Sequence, residues 1–131
     1  MNTKTKRSIK WVIDKKNQFK HAGIHMIAEF WNGKVIENEK ELKEILIKAV
    51  KKANCIPLKT VIHKFKPQGI TGVVLLAESH IALHSWPEYD YIAIDIFTCG
   101  DRALPEKALD YLNAVLKPQK VEIQKIDRGQ A

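Results

Sequence analysis

The feature that most limits the fold is a run of four short apolar segments, each separated from the next by turn-forming residues. The segments are residues 56–66, 70–77, 80–84 and 91–97. The breaks are Pro67-Gln68-Gly69, Glu78-Ser79 and Trp86-Pro87-Glu88. Alternating apolar and polar side chains are typical of strands, and short breaks let consecutive strands pair as hairpins. The run therefore predicts an antiparallel sheet.

Two helices are predicted outside this run. Asn38 followed by Glu41 is typical of a helix N-terminus, and the helix that starts there should end near Asn54. Its apolar stripe has helical spacing: Leu42, Ile45, Leu46, Ala49 and Val50. Pro105 suits the first turn of a second helix. The apolar face of that helix holds Ala108, Leu112 and Val115.

The order of elements favours an α+β fold. Residues 22–31 form a first strand with apolar groups on both faces, and residues 121–126 form a last one. The order β-α-β-β-β-β-α-β predicts a two-layer sandwich, a mainly antiparallel sheet with both helices on one face. The other face would then expose apolar side chains. We expect the chain to form a homodimer through that face.

The positive charge of the chain is concentrated at its start. The net charge is +7, and residues 1–20 hold seven Lys and Arg against Asp14 alone, a net +6. The rest of the chain therefore carries only 7 − 6 = +1. We divide the chain into a basic N-terminal arm, residues 1–20, and one globular domain, residues 21–131.

Several classes of protein are disfavoured by composition. No apolar run reaches the roughly 18 residues of a membrane span, and no secretory leader is visible, so we expect a cytoplasmic protein that makes no membrane contact. Cys55 and Cys99 are expected to be free thiols. A nucleic-acid-binding module would rest on the basic arm with Trp11, Trp31 and Trp86. It remains the non-enzymatic alternative, and we do not expect nucleic acid as a partner.

A zinc site is considered because five residues have suitable side chains: His63, Glu78, His80, His84 and Cys99. His80 and His84 are four residues apart, which separates them by roughly 13 Å on a strand. Paired Cys-x-x-Cys and His-Glu-x-x-His motifs are missing from the sequence. We therefore predict no metal.

Reactive side chains are unusually dense between residues 75 and 100. A serine becomes a nucleophile when a base takes its proton and hydrogen bonds stabilise the oxyanion. Ser79 could be that nucleophile, with His84 as the base, Cys99 as a proton carrier, and Thr71 or backbone N–H groups as donors. The alternative is structural: a turn serine, a core histidine and a small buried cysteine. The residues alone leave both interpretations open.

The same stretch carries a specific resemblance. AESHIALHSWPEYDYIAIDIFTCGD resembles the signature of the prokaryotic pyruvoyl-dependent S-adenosylmethionine decarboxylase proenzymes, and HKFKPQGITGVVLLAESH extends it upstream. The similarity runs from about His21 to Gly129 and leaves out only the basic arm. Members of this family have a sheet with helices on one face and form dimers through the other, as expected above.

The resemblance implies that the chain cuts itself between Glu78 and Ser79. The products would be a β chain, residues 1–78, and an α chain, residues 79–131, whose first residue becomes a pyruvoyl group made from Ser79. By this analogy His84 accepts the Cα proton of Ser79 during elimination, and the hydroxyl of Thr71 supports the acyl shift. The expected assembly is a homodimer of αβ protomers.

The resemblance also implies the reaction. The pyruvoyl cofactor would form a Schiff base with the amine of a small-molecule substrate, S-adenosylmethionine, and act as the electron sink during decarboxylation. Cys99 would return a proton to the substrate, while Phe65, Trp86 and Glu88 would bind the nucleoside. The product would be the aminopropyl donor of spermidine, and hence polyamine, synthesis.

Four residues depart from the family pattern, among them Thr71, where serine is common, and Lys64, where arginine is frequent. Ser85 replaces a common threonine, and Asp90 replaces a common glycine close to the substrate-binding turn. A carboxylate there could favour a distal cation, so a pyruvoyl-dependent decarboxylase of arginine or ornithine is the alternative enzyme. A solvated turn residue is the simpler explanation of Asp90.

Overall fold

The structure, a computed structural model, describes residues 22–129, and the basic arm predicted at residues 1–20 lies outside them. Six strands form one sheet in the order β2-β3-β4-β5-β1-β6, with every neighbouring pair antiparallel. The strands are β1 (Gly23–Trp31), β2 (Pro57–Lys64), β3 (Ile70–Leu76), β4 (Ser79–Trp86), β5 (Tyr91–Thr98) and β6 (Lys120–Arg128). The helices are α1 (Glu39–Lys52) and α2 (Pro105–Leu116).

Helix α1 begins where the sequence predicted. The side chain of Asn38 accepts a hydrogen bond from the backbone N–H of Glu41 at 2.9 Å, which satisfies one free donor of the first turn. The carboxylate of Glu41 pairs with Lys34 instead of reaching back to the cap. The five apolar residues of the predicted stripe are all buried. The helix ends at Lys52, two residues before the predicted end.

Helix α2 begins at Pro105, as predicted, and buries more residues than the three expected. Ala108 and Leu112 are buried, Leu109 and Leu116 join them, and Val115 is only partly buried. Helix α1 lies directly on β3: a Cβ added to Gly72 would come within 2.6 Å of a methyl group of Leu46. The absence of a side chain at Gly72 therefore lets the helix approach the sheet. Neither helix in residues 22–129 has the length and apolar character needed to cross a membrane.

Strands β2 to β5 follow one another as a meander, which confirms the predicted hairpins. Strand β1 is the exception, because it lies between β5 and β6, far from its neighbours in sequence. The helices and one face of the sheet enclose a single core, in which Phe30, Ile94 and Leu83 are almost fully buried. Both helices lie on one face, so the predicted α+β architecture is confirmed.

We call the sheet face without helices the open face. It carries the alternate residues of the strands, among them Val61, Val73, Leu75, His80 and His84. Val61 is 55% exposed and Leu75 is 52% exposed, although both are large and apolar. Apolar side chains on an uncovered sheet face mark a surface available for association.

Candidate active site

The predicted cleavage junction lies in the turn between β3 and β4. Ala77 and Glu78 form this turn, and Ser79 is the first residue of β4, opposite Leu76. The backbone of Ser79 has a φ of 143°, a region that residues with a Cβ rarely occupy. Such a conformation costs about 1–3 kcal/mol and persists only where the surrounding structure enforces it. The peptide that joins Glu78 to Ser79 is therefore followed by a strained residue.

The carbonyl oxygen of Glu78 accepts two hydrogen bonds from one residue. The backbone N–H and the thiol of Cys99 both donate to it, each at 3.0 Å. Two donors that converge on one carbonyl oxygen also stabilise the negative charge that develops there when a nucleophile attacks. The sequence indicated Cys99 as a proton carrier and as a possible zinc ligand, and it gave no signal for its two hydrogen bonds to Glu78.

The side chain of Glu78 fixes the turn from the other side. Its Oε1 accepts a hydrogen bond from the backbone N–H of Ile56 at 3.1 Å, and Ile56 O accepts one from Ala77 N at 2.9 Å. Cys55 is buried beside them, and this burial, followed by the charge of Glu78, raises its thiol pKa to about 11. Cys55 is therefore a neutral thiol at physiological pH. The two cysteines also differ in burial, because Cys55 is buried and Cys99 is exposed. We refer to Glu78, Ser79 and Cys99 as the junction end.

Most of the remaining predicted site residues meet at the opposite end of β4. Thr71 and His84 are paired across β3 and β4, and Thr71 Oγ1 lies 3.1 Å from His84 Nδ1. They border a cavity of about 280 Å³, slightly smaller than the roughly 300–1,000 Å³ of most small-molecule sites. The residues that line it are Phe65, Gln68, Gly69, Thr71, His84, Ser85, Trp86 and Glu88. We call this the pocket end.

A row of stacked rings supports Trp86 at the pocket end. Trp86 stacks on Tyr91 with centroids 5.5 Å apart, and Tyr91 stacks on Trp31 at 4.5 Å. The Tyr91 hydroxyl donates to the carboxylate of Glu29. Burial, together with this hydrogen bond, raises the pKa of Tyr91 to about 12. Neither Tyr91 nor Glu29 was selected from the sequence, because their contact spans 62 residues.

The junction end and the pocket end are far apart within one protomer. Ser79 and His84 are five residues apart on the same strand, which corresponds to about 16 Å. The structure therefore does not bring the predicted nucleophile to the predicted base in one copy of the chain.

Asp90 lies outside the cavity of the pocket end. It is exposed, and its φ of 51° is left-handed. Its backbone N–H donates to Pro87 O and its carbonyl accepts from Asn32 N. Aspartate is among the few residues other than glycine that tolerate this left-handed conformation.

Of the three histidines considered for zinc, His63 lies on β2, and His80 and His84 lie on β4, where four residues of strand separate them by roughly 13 Å. Within residues 22–129, no three His, Cys, Asp or Glu side chains are grouped in a way that could hold a metal ion.

Comparisons with known proteins agree with the fold. A family model described as S-adenosylmethionine decarboxylase matches residues 24–129. A Methanococcus vannielii protein named S-adenosylmethionine decarboxylase proenzyme is 42% identical over 84% of this chain and 92% of its own length. A protein of the same name from Thermosipho melanesiensis is 39% identical over 84% of this chain and 86% of its own. The crystal structure of the adenosylmethionine decarboxylase from Aquifex aeolicus has a TM-score of 0.80 and 36% identity, covering 86% of this chain and 95% of that one.

The family match spans the sheet, both helices and the hairpin that carries Ser79. The class to which these matches assign the chain is that of the carboxy-lyases. Within that class, the chain belongs to the S-adenosylmethionine decarboxylase family.

Proposed function

We propose that this chain cleaves itself between Glu78 and Ser79 and then decarboxylates S-adenosylmethionine. The observation that carries the proposal is the pair of hydrogen bonds from Cys99 to the Glu78 carbonyl, directly before a serine in a strained conformation. A carbonyl held by two donors and followed by a hydroxyl has what an N-to-O acyl shift requires. The products are a β chain of residues 1–78 and an α chain of residues 79–131.

Cleavage begins when the Ser79 hydroxyl attacks the Glu78 carbonyl carbon. The resulting oxyanion stays within reach of the N–H and thiol of Cys99, which already lie 3.0 Å from that oxygen. After the shift the Ser79 nitrogen is a free amine and no longer part of a peptide bond. The shift therefore also relieves the backbone strain at Ser79. Removal of the Ser79 Cα proton then expels Glu78 as a free carboxylate and leaves dehydroalanine. This residue tautomerises to an imine, which water hydrolyses to the pyruvoyl group with loss of ammonia.

The base for this elimination comes from a second copy of the chain. Within one protomer His84 lies about 16 Å along β4 from Ser79. If two copies pack open face to open face with their β4 strands antiparallel, the junction end of one lies over the pocket end of the other. Packed sheets are about 10 Å apart, a gap that side chains bridge. His84 and Thr71 therefore act on the partner protomer, and the homodimer holds two such sites.

The residues of the junction end fit a pyruvoyl group derived from Ser79, because Ser79 directly follows a carbonyl that is held by the exposed thiol of Cys99. The ketone of that group supplies the electron sink for decarboxylation, which no ordinary side chain provides. Cys99 then donates a proton to the carbon that lost CO2, since its thiol lies at the junction, 3.0 Å from the Glu78 carbonyl oxygen.

The pocket end binds the nucleoside of the substrate. Phe65 is 48% exposed and Trp86 is 39% exposed, so both rings present faces on which adenine can stack. Glu88 accepts a hydrogen bond from Gln68 at 3.3 Å and retains acceptor capacity for ribose hydroxyls. Since the cavity of one protomer is only about 280 Å³, the partner completes it. The decarboxylated product is the aminopropyl donor for polyamine synthesis.

Denaturing mass spectrometry of the purified protein tests the proposal. We expect two fragments that separate after Glu78, and one intact chain from Ser79→Ala. Release of CO2 should follow with S-adenosylmethionine and should be absent with arginine and ornithine. An intact, stable wild-type chain would refute the proposal, and CO2 release from arginine would refute the substrate.

A further inference from the structure

The acyl shift needs a base at Ser79 before any partner can act on the Cα proton. Ser79 Oγ lies 3.5 Å from His80 Nδ1. The other candidate on this strand, His84, is about 16 Å away in the same protomer. His80 is therefore positioned at the reacting hydroxyl, although the sequence pointed to it only as a possible zinc ligand.

The ring of His80 is held in place by packing. His80 is paired with Phe97 across β4 and β5, and the two ring centroids are 6.0 Å apart in an edge-to-face contact. His25 contacts the same Phe97 ring at 5.7 Å but hydrogen-bonds to Asp95. The two histidines thus share one packing partner, and they differ in that His80 faces Ser79.

We propose that His80 is the proton shuttle of the acyl shift, an assignment that rests on the proposed self-cleavage. With its proton on Nε2, the imidazole accepts the Ser79 Oγ–H proton at Nδ1 while the Oγ–C bond to Glu78 forms. The tetrahedral oxyanion is stabilised by Cys99. As the C–N bond breaks, the imidazolium returns the proton to the Ser79 nitrogen. The amide becomes an ester and a free amine, and no proton is gained or lost.

With this assignment, the two histidines act in different steps of the cleavage. His80 acts in cis on the oxygen of Ser79 and produces the ester. His84 of the partner subunit acts afterwards on the Cα proton and releases the β chain. Removing either histidine slows cleavage, but the uncleaved chain accumulates in a different covalent state in each case: an amide without His80 and an ester without His84.

The test follows cleavage of freshly synthesised full-length chains by denaturing mass spectrometry. A positioned general base contributes about 10²- to 10⁴-fold, so His80→Ala should cleave at least about 100-fold more slowly than wild type. His25→Ala should cleave at nearly the wild-type rate, because it removes packing on Phe97 and hydrogen bonds with Asp95 and Arg128 but no group at Ser79. His80→Gln, which keeps a polar side chain of similar length, should be as slow as His80→Ala and guards against a folding defect.

Hydroxylamine distinguishes the blocked states, because it cleaves esters rapidly and amides slowly. Uncleaved His80→Ala should resist it, whereas uncleaved His84→Ala should split after Glu78. Cleavage of His80→Gln within about threefold of the wild-type rate, equal slowing by His25→Ala, or an ester in His80→Ala would each overturn the role of His80. An intact wild-type chain would instead overturn the proposed function, and this role with it.

Discussion

The two ends of β4 are built in different ways. At the junction end, the main features lie in the backbone. The Glu78 carbonyl accepts hydrogen bonds from Cys99, and Ser79, whose backbone is strained, follows it. At the pocket end, the contacts are between side chains: Thr71 is hydrogen-bonded to His84, and Trp86 stacks on Tyr91. The first arrangement suits breaking a bond in the chain itself, and the second suits holding a flat ligand. One protomer contains both but keeps them about 16 Å apart.

The largest effect is expected when a functional Ser79 and a functional His84 are supplied by different chains. Ser79→Ala and His84→Ala should each stay uncleaved when expressed alone. Co-expressed, they form mixed dimers in which the Ser79 of one protomer meets the His84 of the other, so part of the His84→Ala chain should be cleaved. Mass spectrometry separates the two chains because their masses differ.

The control for this complementation is co-expression of His84→Ala with a chain that carries both substitutions, where no site is complete. No cleavage should be seen in that control. If the Ser79→Ala partner also restores none, the base acts within one protomer and the proposed arrangement in trans is wrong.

The junction end is next tested through its thiol. Cys99→Ala removes one of two donors from the Glu78 oxygen and keeps the backbone N–H. Losing one oxyanion donor costs about 10²- to 10³-fold, and a thiol is a weak donor; we therefore expect cleavage roughly 10- to 100-fold slower. Decarboxylation by the cleaved fraction should fall further. Cys99→Ser, which restores a donor, should regain cleavage. Cleavage of Cys99→Ala at the wild-type rate would contradict the role of the thiol and leave only the backbone N–H to stabilise the oxyanion.

The pocket end is tested through the ring behind Trp86. An aromatic pair contributes about 0.5–1.5 kcal/mol, so Tyr91→Ala should raise the KM for S-adenosylmethionine roughly 2- to 10-fold with little change in kcat. Self-cleavage should be nearly unaffected, because Tyr91 supports Trp86, whereas the groups proposed to act in cleavage are Ser79, His80, His84 and Cys99. Tyr89→Ala is the matched control, since Tyr89 is 68% exposed. Slower cleavage in Tyr91→Ala would show that the two ends are not independent.

The elements that could be predicted from sequence are those set by local contacts. The Asn38 cap acts over three residues, and the turns between β2 and β5 join strands that are neighbours in the chain. Strand β1 pairs with β5 and β6 across most of the sequence, and no local signal specifies such partners. The helices-on-one-face layout followed from the order of elements alone.

Prediction of the site from sequence was limited in the same way, because contacts between distant residues have no local signal. The motif around Ser79 selected reactive residues by type and order, but spacing in sequence does not say which end of a strand faces which partner. The double contact from Cys99 to Glu78 and the bond between Tyr91 and Glu29 join different strands, so they depend on sheet register. Register follows from the pattern of the whole sheet, and a linear motif does not contain it.

A smaller effect at the pocket end concerns pH. The Tyr91 pKa is raised from 10.0 to about 12, so the fold favours the neutral phenol. Its contribution to stability is complete below about pH 10 and is lost as the pH rises through 12. Tyrosinate absorbance should show one group ionising near pH 12 in the wild-type protein and none there in Tyr91→Phe. A wild-type titration complete by pH 11 would contradict this.

The smallest effect is expected at Asp90, which lies next to the pocket end but does not line its cavity. Because Asp90 is exposed at a left-handed φ of 51° and does not line the cavity, its carboxylate should be irrelevant to binding. Asp90→Gly should therefore change the KM for S-adenosylmethionine less than about twofold, since solvent screens exposed charges. Glu88→Gln provides the contrast, because Glu88 does line the cavity, and it should raise KM. If Asp90→Gly instead weakens binding as much as Glu88→Gln does, the turn must reposition Asp90 when two protomers meet, and its carboxylate helps to select the substrate.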